Sequence, residues 1–123
     1  MRISSHKELN VFKCSFDLAL QIHLLTKNFP LEEKYSITDQ IRRSSRSVAA
    51  NIAEAFSKRR YPKLFISKLL ESGGEAAETQ VWLSFIIAFG YSDKEAMQSM
   101  DEKYDHIQAQ ILTMIQFSEK WSI

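Results

Sequence analysis

The stretch that decides the fold is QIRRSSRSVAANIAEAFSKRR, residues 40–60. Its ends are basic and its middle is rich in alanine. Apolar residues fall on one side of a helical wheel, which is the spacing typical of an amphipathic α-helix. These apolar residues are Ile41, Val48, Ile52 and Phe56. The pattern predicts a helix over residues 37–57.

Helical periodicity continues through nearly the whole chain, and no stretch shows convincing strand alternation. The predicted helices cover residues 8–27, 37–57, 62–89 and 93–121 of a single domain that spans residues 1–123. Pro30 separates the first two helices, and Gly90 is a helix stop after the third. Short connections favour antiparallel neighbours, so the predicted fold class is all-α, an antiparallel up-down-up-down four-helix bundle.

Local features predict how the helices begin and which faces they bury. Ser36 with Asp39, and Ser92 with Glu95, have the spacing of capping boxes at the starts of the second and fourth helices. Gly73-Gly74 would weaken the third helix, since each mid-helix glycine costs about 1 kcal/mol, and we interpret it as a point of close helix approach. The expected buried stripe of that helix is Ile66, Leu69, Gly73, Ala76, Gln80, Leu83 and Ile87.

Several large apolar residues fall outside any single stripe. They are Phe65, Trp82, Phe85, Phe89 and Phe117. A monomer would expose many of these side chains to water, so the sequence predicts a homo-oligomer.

The charge is unevenly distributed along the 123 residues. Residues 34–68 hold nine Lys or Arg against two acidic residues, whereas residues 69–123 hold three Lys against nine acidic residues. This asymmetry indicates a polyanion partner, or two surfaces of opposite sign that meet within an assembly. The single Cys14, the lack of a signal-like start and the short uncharged runs predict a cytoplasmic location with no membrane contact.

No catalytic constellation is recognisable, so we expect no enzyme activity, no cofactor and no metal. Glu-x-x-His pairs, zinc-type Cys/His spacing and Gly-rich phosphate loops do not occur. Glu71, Glu75 and Glu78 line one helical face. We interpret them as a solvated acidic face or as partners of a basic segment, in preference to catalytic carboxylates.

The basic ends of the opening segment form the candidate nucleic-acid-binding site. Its residues are Arg42, Arg43, Arg46, Lys58, Arg59, Arg60 and Lys63. Lys and Arg contacts to phosphate give binding without base information, and Tyr61 could add stacking on a base. The alternatives are a solvated charge run, or cations occupied by the acidic face of a neighbouring subunit.

Ser47, Asn51 and Glu54 lie on a separate polar stripe of the same predicted helix. We predict that they form a structural hydrogen-bond set that fixes the register of the helix, because buried polar groups must find partners. A ligand site is the alternative.

The segment FPLEEKYSITDQIRRSSRSVAANIAEAF, residues 29–56, resembles the signature of the four-helix bundle proteins of the 23S rRNA intervening-sequence family. Glu78-Thr79-Gln80 and Gly90-Tyr91 are also similar, and the resemblance covers roughly residues 8–118. The chain differs in having Ala49 and Ala55 where the family often has Pro and Gly.

The resemblance implies a bacterial antiparallel four-helix bundle that forms a ring-like homopentamer. A related branch is the accessory protein of diversity-generating retroelements, a basic pentamer that binds a reverse transcriptase and nucleic acid. Two functions follow as hypotheses. One is a nucleic-acid-associated accessory protein with RNA or DNA as its partner. The other is a protein-binding scaffold or assembly module whose basic segment serves subunit contacts or a protein partner such as a reverse transcriptase.

Overall fold

The computed structural model describes residues 3–122, which contain helices and no strand. Four long helices are α1 (Asn10–Thr26), α2 (Ile37–Ser57), α3 (Pro62–Phe89) and α4 (Lys94–Gln116), followed by the short α5 (Ser118–Trp121). Two short 3-10 helices, His6–Glu8 and Leu31–Glu33, precede α1 and α2. The predicted all-α class is confirmed.

The core is built from all four long helices. α2 packs between α1 and α3, and α4 packs against α3 and α1. Among the fully buried side chains are Leu18 of α1, Ile52 of α2, Leu69 of α3 and Ile107 of α4. Each helix therefore buries one stripe against its neighbours, as its apolar spacing requires.

Side-chain bonds show how neighbouring helices are aligned. Arg42 near the start of α2 contacts Thr26 at the end of α1. Along α2 and α3, Ser44 meets Thr79, Val48 meets Ser72, and Glu54 meets Lys68. The residue numbers rise along α2 while they fall along α3.

The starts of α2 and α4 differ from the predicted capping boxes. Ser36 makes no capping bond, because its backbone (φ −119°, ψ −109°) is not in the extended cap conformation. Glu33 Oε1 accepts from the Ile37 N–H instead, at 3.4 Å. At α4 the cap is Asp93, whose carboxylate accepts from the Ala96 N–H at 2.9 Å, so Ser92 lies one residue too early.

The prediction of one uninterrupted helix over residues 93–121 is also wrong. The chain leaves the helical conformation at Phe117 (φ −109°, ψ 34°), and α5 follows as a separate turn. This break accompanies the packing of Trp121, whose ring lies 6.1 Å from that of Phe65 and 6.5 Å from that of Phe56. The aromatic contact places α5 over the adjoining ends of α2 and α3.

The buried face of α3 is rotated relative to the predicted stripe. Phe65, which the sequence placed outside any stripe, is fully buried, whereas Gln80 is only partly covered. Because α3 is apolar around much of its circumference, its helical periodicity did not show which of two neighbouring faces is buried. The buried residues of α3 are Phe65, Leu69, Ser72, Ala76, Thr79, Leu83 and Ile86.

The predicted close approach at Gly73-Gly74 is wrong as well. A Cβ atom added to either glycine would meet nothing within 4 Å, and α3 continues through both positions without a break.

Tyr91 ties the connection before α2 to the connection before α4. Its hydroxyl donates to Glu33 Oε2 at 2.7 Å, and its ring lies 5.5 Å from Phe29 and 5.4 Å from Phe89. The hydrogen bond to Glu33, with the burial and negative charge around it, raises the pKa of Tyr91 to about 12. These contacts hold both connections at the same end of the molecule.

Candidate nucleic-acid interface

The seven predicted cations lie in two groups along α2. Arg42, Arg43 and Arg46 belong to its first half. Lys58, Arg59 and Arg60 directly follow its end, and Lys63 lies in the first turn of α3. Sixteen residues separate Arg42 from Lys58, which corresponds to about 24 Å at 1.5 Å per residue. A single chain therefore presents two basic groups and not one continuous patch.

Arg42 and Arg46 reach across to α1. Arg42 Nε donates to Thr26 Oγ1 at 2.7 Å and its Nη2 donates to the His23 carbonyl at 3.4 Å, so a cation covers the last turn of α1. Arg46 Nη2 lies 3.1 Å from His23 Nδ1. Burial, and then the charges of Arg42, Lys27 and Arg46, lower the pKa of His23, which favours a neutral ring that accepts from Arg46.

Arg43 turns to the opposite side and binds α3. Its Nη1 lies 2.6 Å from Glu75 Oε2, and its Nη2 donates to Glu78 Oε2, which also accepts from Trp82 Nε1 at 3.1 Å. These hydrogen bonds, first to Glu75 and then to Glu78, raise the pKa of Arg43. Two residues of the predicted acidic face, Glu75 and Glu78, therefore pair with Arg43 of the same chain.

The four remaining cations form what we call the turn cluster: Lys58, Arg59, Arg60 and Lys63. In the part of the chain from residue 3 to residue 122, none of them has a carboxylate within 4.0 Å. Arg59 is held in place, because its guanidinium lies 4.0 Å from the centre of the Phe56 ring and donates to the Phe56 carbonyl at 3.0 Å. Positive charge is therefore available here.

A cavity of about 290 Å³ opens beside the turn cluster. It is lined by Ser57, Arg59, Arg60 and Tyr61. Tyr61 is 59% exposed, so its ring is free to stack on a planar group. Two guanidinium groups, a hydroxyl and an aromatic ring provide the chemistry that binds a phosphate and an adjacent base.

The polar stripe does not form one hydrogen-bond set among residues 3–122. Asn51 Nδ2 donates to the Ser47 carbonyl of its own helix at 2.9 Å. Glu54 is exposed and pairs with Lys68 of α3 at 3.0 Å.

Buried hydroxyls join α2 to α3 instead, and the sequence analysis missed them. Thr79 Oγ1 donates to Ser44 Oγ at 2.8 Å, and Ser72 Oγ donates to the Val48 carbonyl at 2.7 Å. The signal was their spacing, since Ser72 and Thr79 lie seven residues apart and in step with buried Leu69 and Leu83.

Other chemistry is sparse in the described residues. Between residues 3 and 122, no group of three or more His, Cys, Asp or Glu is placed to hold a metal ion. The Cys14 thiol is half-buried, and this burial raises its pKa. Within the same range, no helix has both the length and the apolar character needed to cross a membrane.

Comparison with known proteins identifies the family. The family model described as 23S rRNA-intervening sequence protein matches residues 7–113. A crystal structure of a protein with unknown function from the S23 ribosomal protein family of Bacteroides thetaiotaomicron VPI-5482 is similar, with a TM-score of 0.77 and 32% identity. The match covers 86% of this chain and 95% of that one. No curated protein matches the chain. The chain belongs to the 23S rRNA-intervening sequence protein family.

Proposed function

We propose that the protein is a non-enzymatic accessory protein that binds nucleic acid through a basic surface and acts in the cytoplasm as a ring-like homopentamer. The turn cluster is the observation that carries this proposal. Four cations lie within six residues there, and in the described range none is neutralised by a carboxylate. The names of the matching families, 23S rRNA-intervening sequence protein and S23 ribosomal protein, favour RNA as the nucleic acid.

The proposed subunit is an antiparallel up-down-up-down bundle. Contacts between α1 and α2 (Thr26 with Arg42, His23 with Arg46) support this order, because residue numbers fall along one helix as they rise along the other. The contacts of Ser44 with Thr79 and of Val48 with Ser72 show the same for α2 and α3. In such a bundle the α2–α3 turn lies at the end opposite to Tyr91. Five subunits arranged with parallel axes would place five turn clusters on one face of the ring.

Binding through this face would depend on the phosphate backbone and not on base identity. Arg and Lys contacts to phosphates carry no direct sequence information. Repetition around a ring raises the effective concentration of each further contact, so weak single-subunit contacts combine into useful affinity. Tyr61 would add sequence-tolerant stacking, which favours a single strand over a duplex.

The experiment replaces Arg59, Arg60 and Lys63 together by glutamine. We expect weaker binding to a single-stranded RNA of mixed sequence, measured by fluorescence anisotropy across a salt series. Three lost phosphate contacts should reduce the slope of log K against log salt by about 2 per engaged subunit, at roughly 0.7 per contact. Light scattering should show an unchanged oligomer mass, because these side chains are proposed to face the ligand.

The matched control replaces Lys13, Lys94 and Lys103 by glutamine. These lysines are exposed and lie on α1 and α4, and their replacement removes the same total charge. RNA binding should be much less affected in the control than in the turn-cluster variant. Equal losses would indicate a nonspecific charge effect, and an absence of RNA binding by the wild type at low salt would refute the nucleic-acid function.

A protein-binding scaffold or assembly module is the second candidate function. The exposed rings of Phe85 and Phe89 on α3 favour it, because large apolar groups in water mark interaction surfaces. The basic segment would then serve contacts with other subunits or with a protein partner such as a reverse transcriptase. Loss of assembly in the turn-cluster variant, without any RNA binding by the wild type, would support this candidate.

A further inference from the structure

The first relevant feature is an apolar groove between α1 and α2. It has a volume of about 550 Å³, and Phe16 and Leu20 of α1 form part of its wall. Both side chains are 51% exposed. Ala49 and Ala50 of α2 line the other side, so the groove is open where larger residues would have filled it. A groove of this shape suits bulky apolar side chains.

The second feature is a row of aromatic rings that runs along the last part of α3 and into the connection after it. We call it the aromatic ladder: Trp82, Phe85, Phe89 and Tyr91. Successive ring centres are 5.9, 5.7 and 5.4 Å apart. Phe85 is 43% exposed and Phe89 is 54% exposed, and Val81 beside them is 50% exposed. The ladder is therefore continuous, and two of its four rings expose about half of their surface to water.

Groove and ladder do not cover each other within one chain. The groove belongs to α1 and α2, whereas the ladder belongs to α3, and α1 and α3 make no direct packing contact. Each face therefore remains available to another molecule.

The apolar area suits a stable protein interface. Six residues with about half of their surface exposed, three on α1 and three on α3, expose roughly 100 Å² each, or about 600 Å² together. The smallest standard interfaces bury about 1,200 Å² in total and are a little more than half apolar, or about 680 Å², so these residues supply most of the apolar area of such an interface. The six residues are Phe16, Leu20, Leu24, Val81, Phe85 and Phe89.

The charges beside the two faces are complementary. Arg46 lines the groove and has no carboxylate within 4.0 Å in the described chain. The ladder begins at Trp82, which donates to Glu78, and Glu75 and Glu78 together exceed the single charge of Arg43. A guanidinium at the groove can also pack on an aromatic face. Each face thus carries the charge and the apolar groups that suit the other face, which favours a second copy of this chain as the occupant.

We propose that the aromatic ladder of one copy docks in the α1/α2 groove of the next copy. This head-to-tail contact joins two different surfaces, so each copy can bind one neighbour through its groove and another through its ladder, as the subunits of the proposed ring would. The inference deepens the oligomeric part of the proposed function and does not depend on nucleic-acid binding. It names the two surfaces that meet.

The test uses two single substitutions at exposed positions. Leu20→Glu places a charge in the groove, and Phe85→Glu places one on the ladder. Each variant alone should be a monomer of about 14 kDa by light scattering, with wild-type helicity by circular dichroism. Leu112→Glu on α4 is the matched control, because Leu112 is 63% exposed but belongs to neither face, and it should keep the wild-type mass.

Mixing the two monomeric variants gives the decisive result. Leu20→Glu retains its ladder and Phe85→Glu retains its groove, so one intact contact can form and a 1:1 dimer should appear. A groove-to-groove or ladder-to-ladder contact predicts instead that one variant stays assembled by itself. That result, a mixture that remains monomeric, or a monomeric wild type would overturn the proposal. RNA binding by the wild type is measured separately, so failure of this interface is distinguishable from failure of the nucleic-acid function.

Discussion

Thr79 and Ser44 show at the scale of single residues what aligns α2 with α3. Both are fully buried, and their hydroxyls lie 2.8 Å apart between the two helices. Glu54, by contrast, is exposed and pairs with Lys68 where water screens the charges. A buried hydrogen bond constrains the relative position of two helices, because sliding either helix would leave its polar atoms without partners.

We therefore predict that Thr79→Val lowers the free energy of unfolding by about 1 kcal/mol, since a hydrogen bond is lost from a buried site at nearly constant volume. Glu54→Ala should change it by less than about 0.5 kcal/mol, as for other exposed positions. Urea unfolding at a fixed protein concentration measures both. If Glu54→Ala lowered the free energy of unfolding more than Thr79→Val, the polar stripe and not the buried hydroxyls would set the register of α2.

At the scale of elements, α3 combines two residues that disfavour a helix with a row of exposed aromatic side chains. It is 28 residues long, its interior contains Gly73-Gly74, and its end bears the aromatic ladder. The glycines make no close contact that a methyl group would disturb. Their effect is therefore a conformational cost without a packing benefit.

Gly74→Ala should stabilise the protein by about 1 kcal/mol, because alanine is the better helix former and the added Cβ meets open space. Gly90→Ala is the contrasting control. Gly90 ends α3 at φ 72°, in the left-handed region, where a side chain costs roughly 1–2 kcal/mol. Thermal unfolding of the two variants should shift in opposite directions. A destabilised Gly74→Ala would indicate that the glycine serves an intersubunit contact.

At the scale of the whole molecule, the exposed apolar side chains and the unpaired cations both indicate that the chain binds other molecules. Leu20, Phe85 and Phe89 expose about half of their surface to water. Within residues 3–122, the turn cluster has no carboxylate partner. The apolar faces suit another copy, and the turn cluster suits a polyanion. The two proposals therefore place assembly and ligand binding on separate parts of the surface.

The proposed assembly through the groove and ladder would make stability depend on protein concentration, because association stabilises the folded state by mass action. The midpoint of thermal unfolding should therefore rise as the wild-type concentration increases from about 1 to 100 μM. Phe85→Glu should unfold at a midpoint that does not vary with concentration. A wild-type midpoint that is equally constant would contradict assembly in this range, and differential scanning calorimetry makes both measurements.

The sequence by itself determined the all-α class, the family resemblance and the identities of the basic residues. Helical periodicity is a local property, set by which side chains recur every three to four positions, so it can be read without knowing the neighbours. The signature around Arg42-Arg43 and Asn51 is likewise contiguous. The same periodicity predicted that several aromatic side chains lie outside the buried stripes, and Phe85 and Phe89 are indeed exposed.

Only the tertiary structure decided which partners these residues meet. Arg42 and Arg43 are adjacent in the chain, yet one binds the end of α1 and the other binds Glu75 of α3. Likewise, Phe65 is fully buried, and one of the rings that packs against it is Trp121 of α5, which lies 56 residues further along the chain. Neighbouring side chains on a helix point about 100° apart, so their partners depend on which helices lie on either side, and that arrangement arises from packing the whole chain.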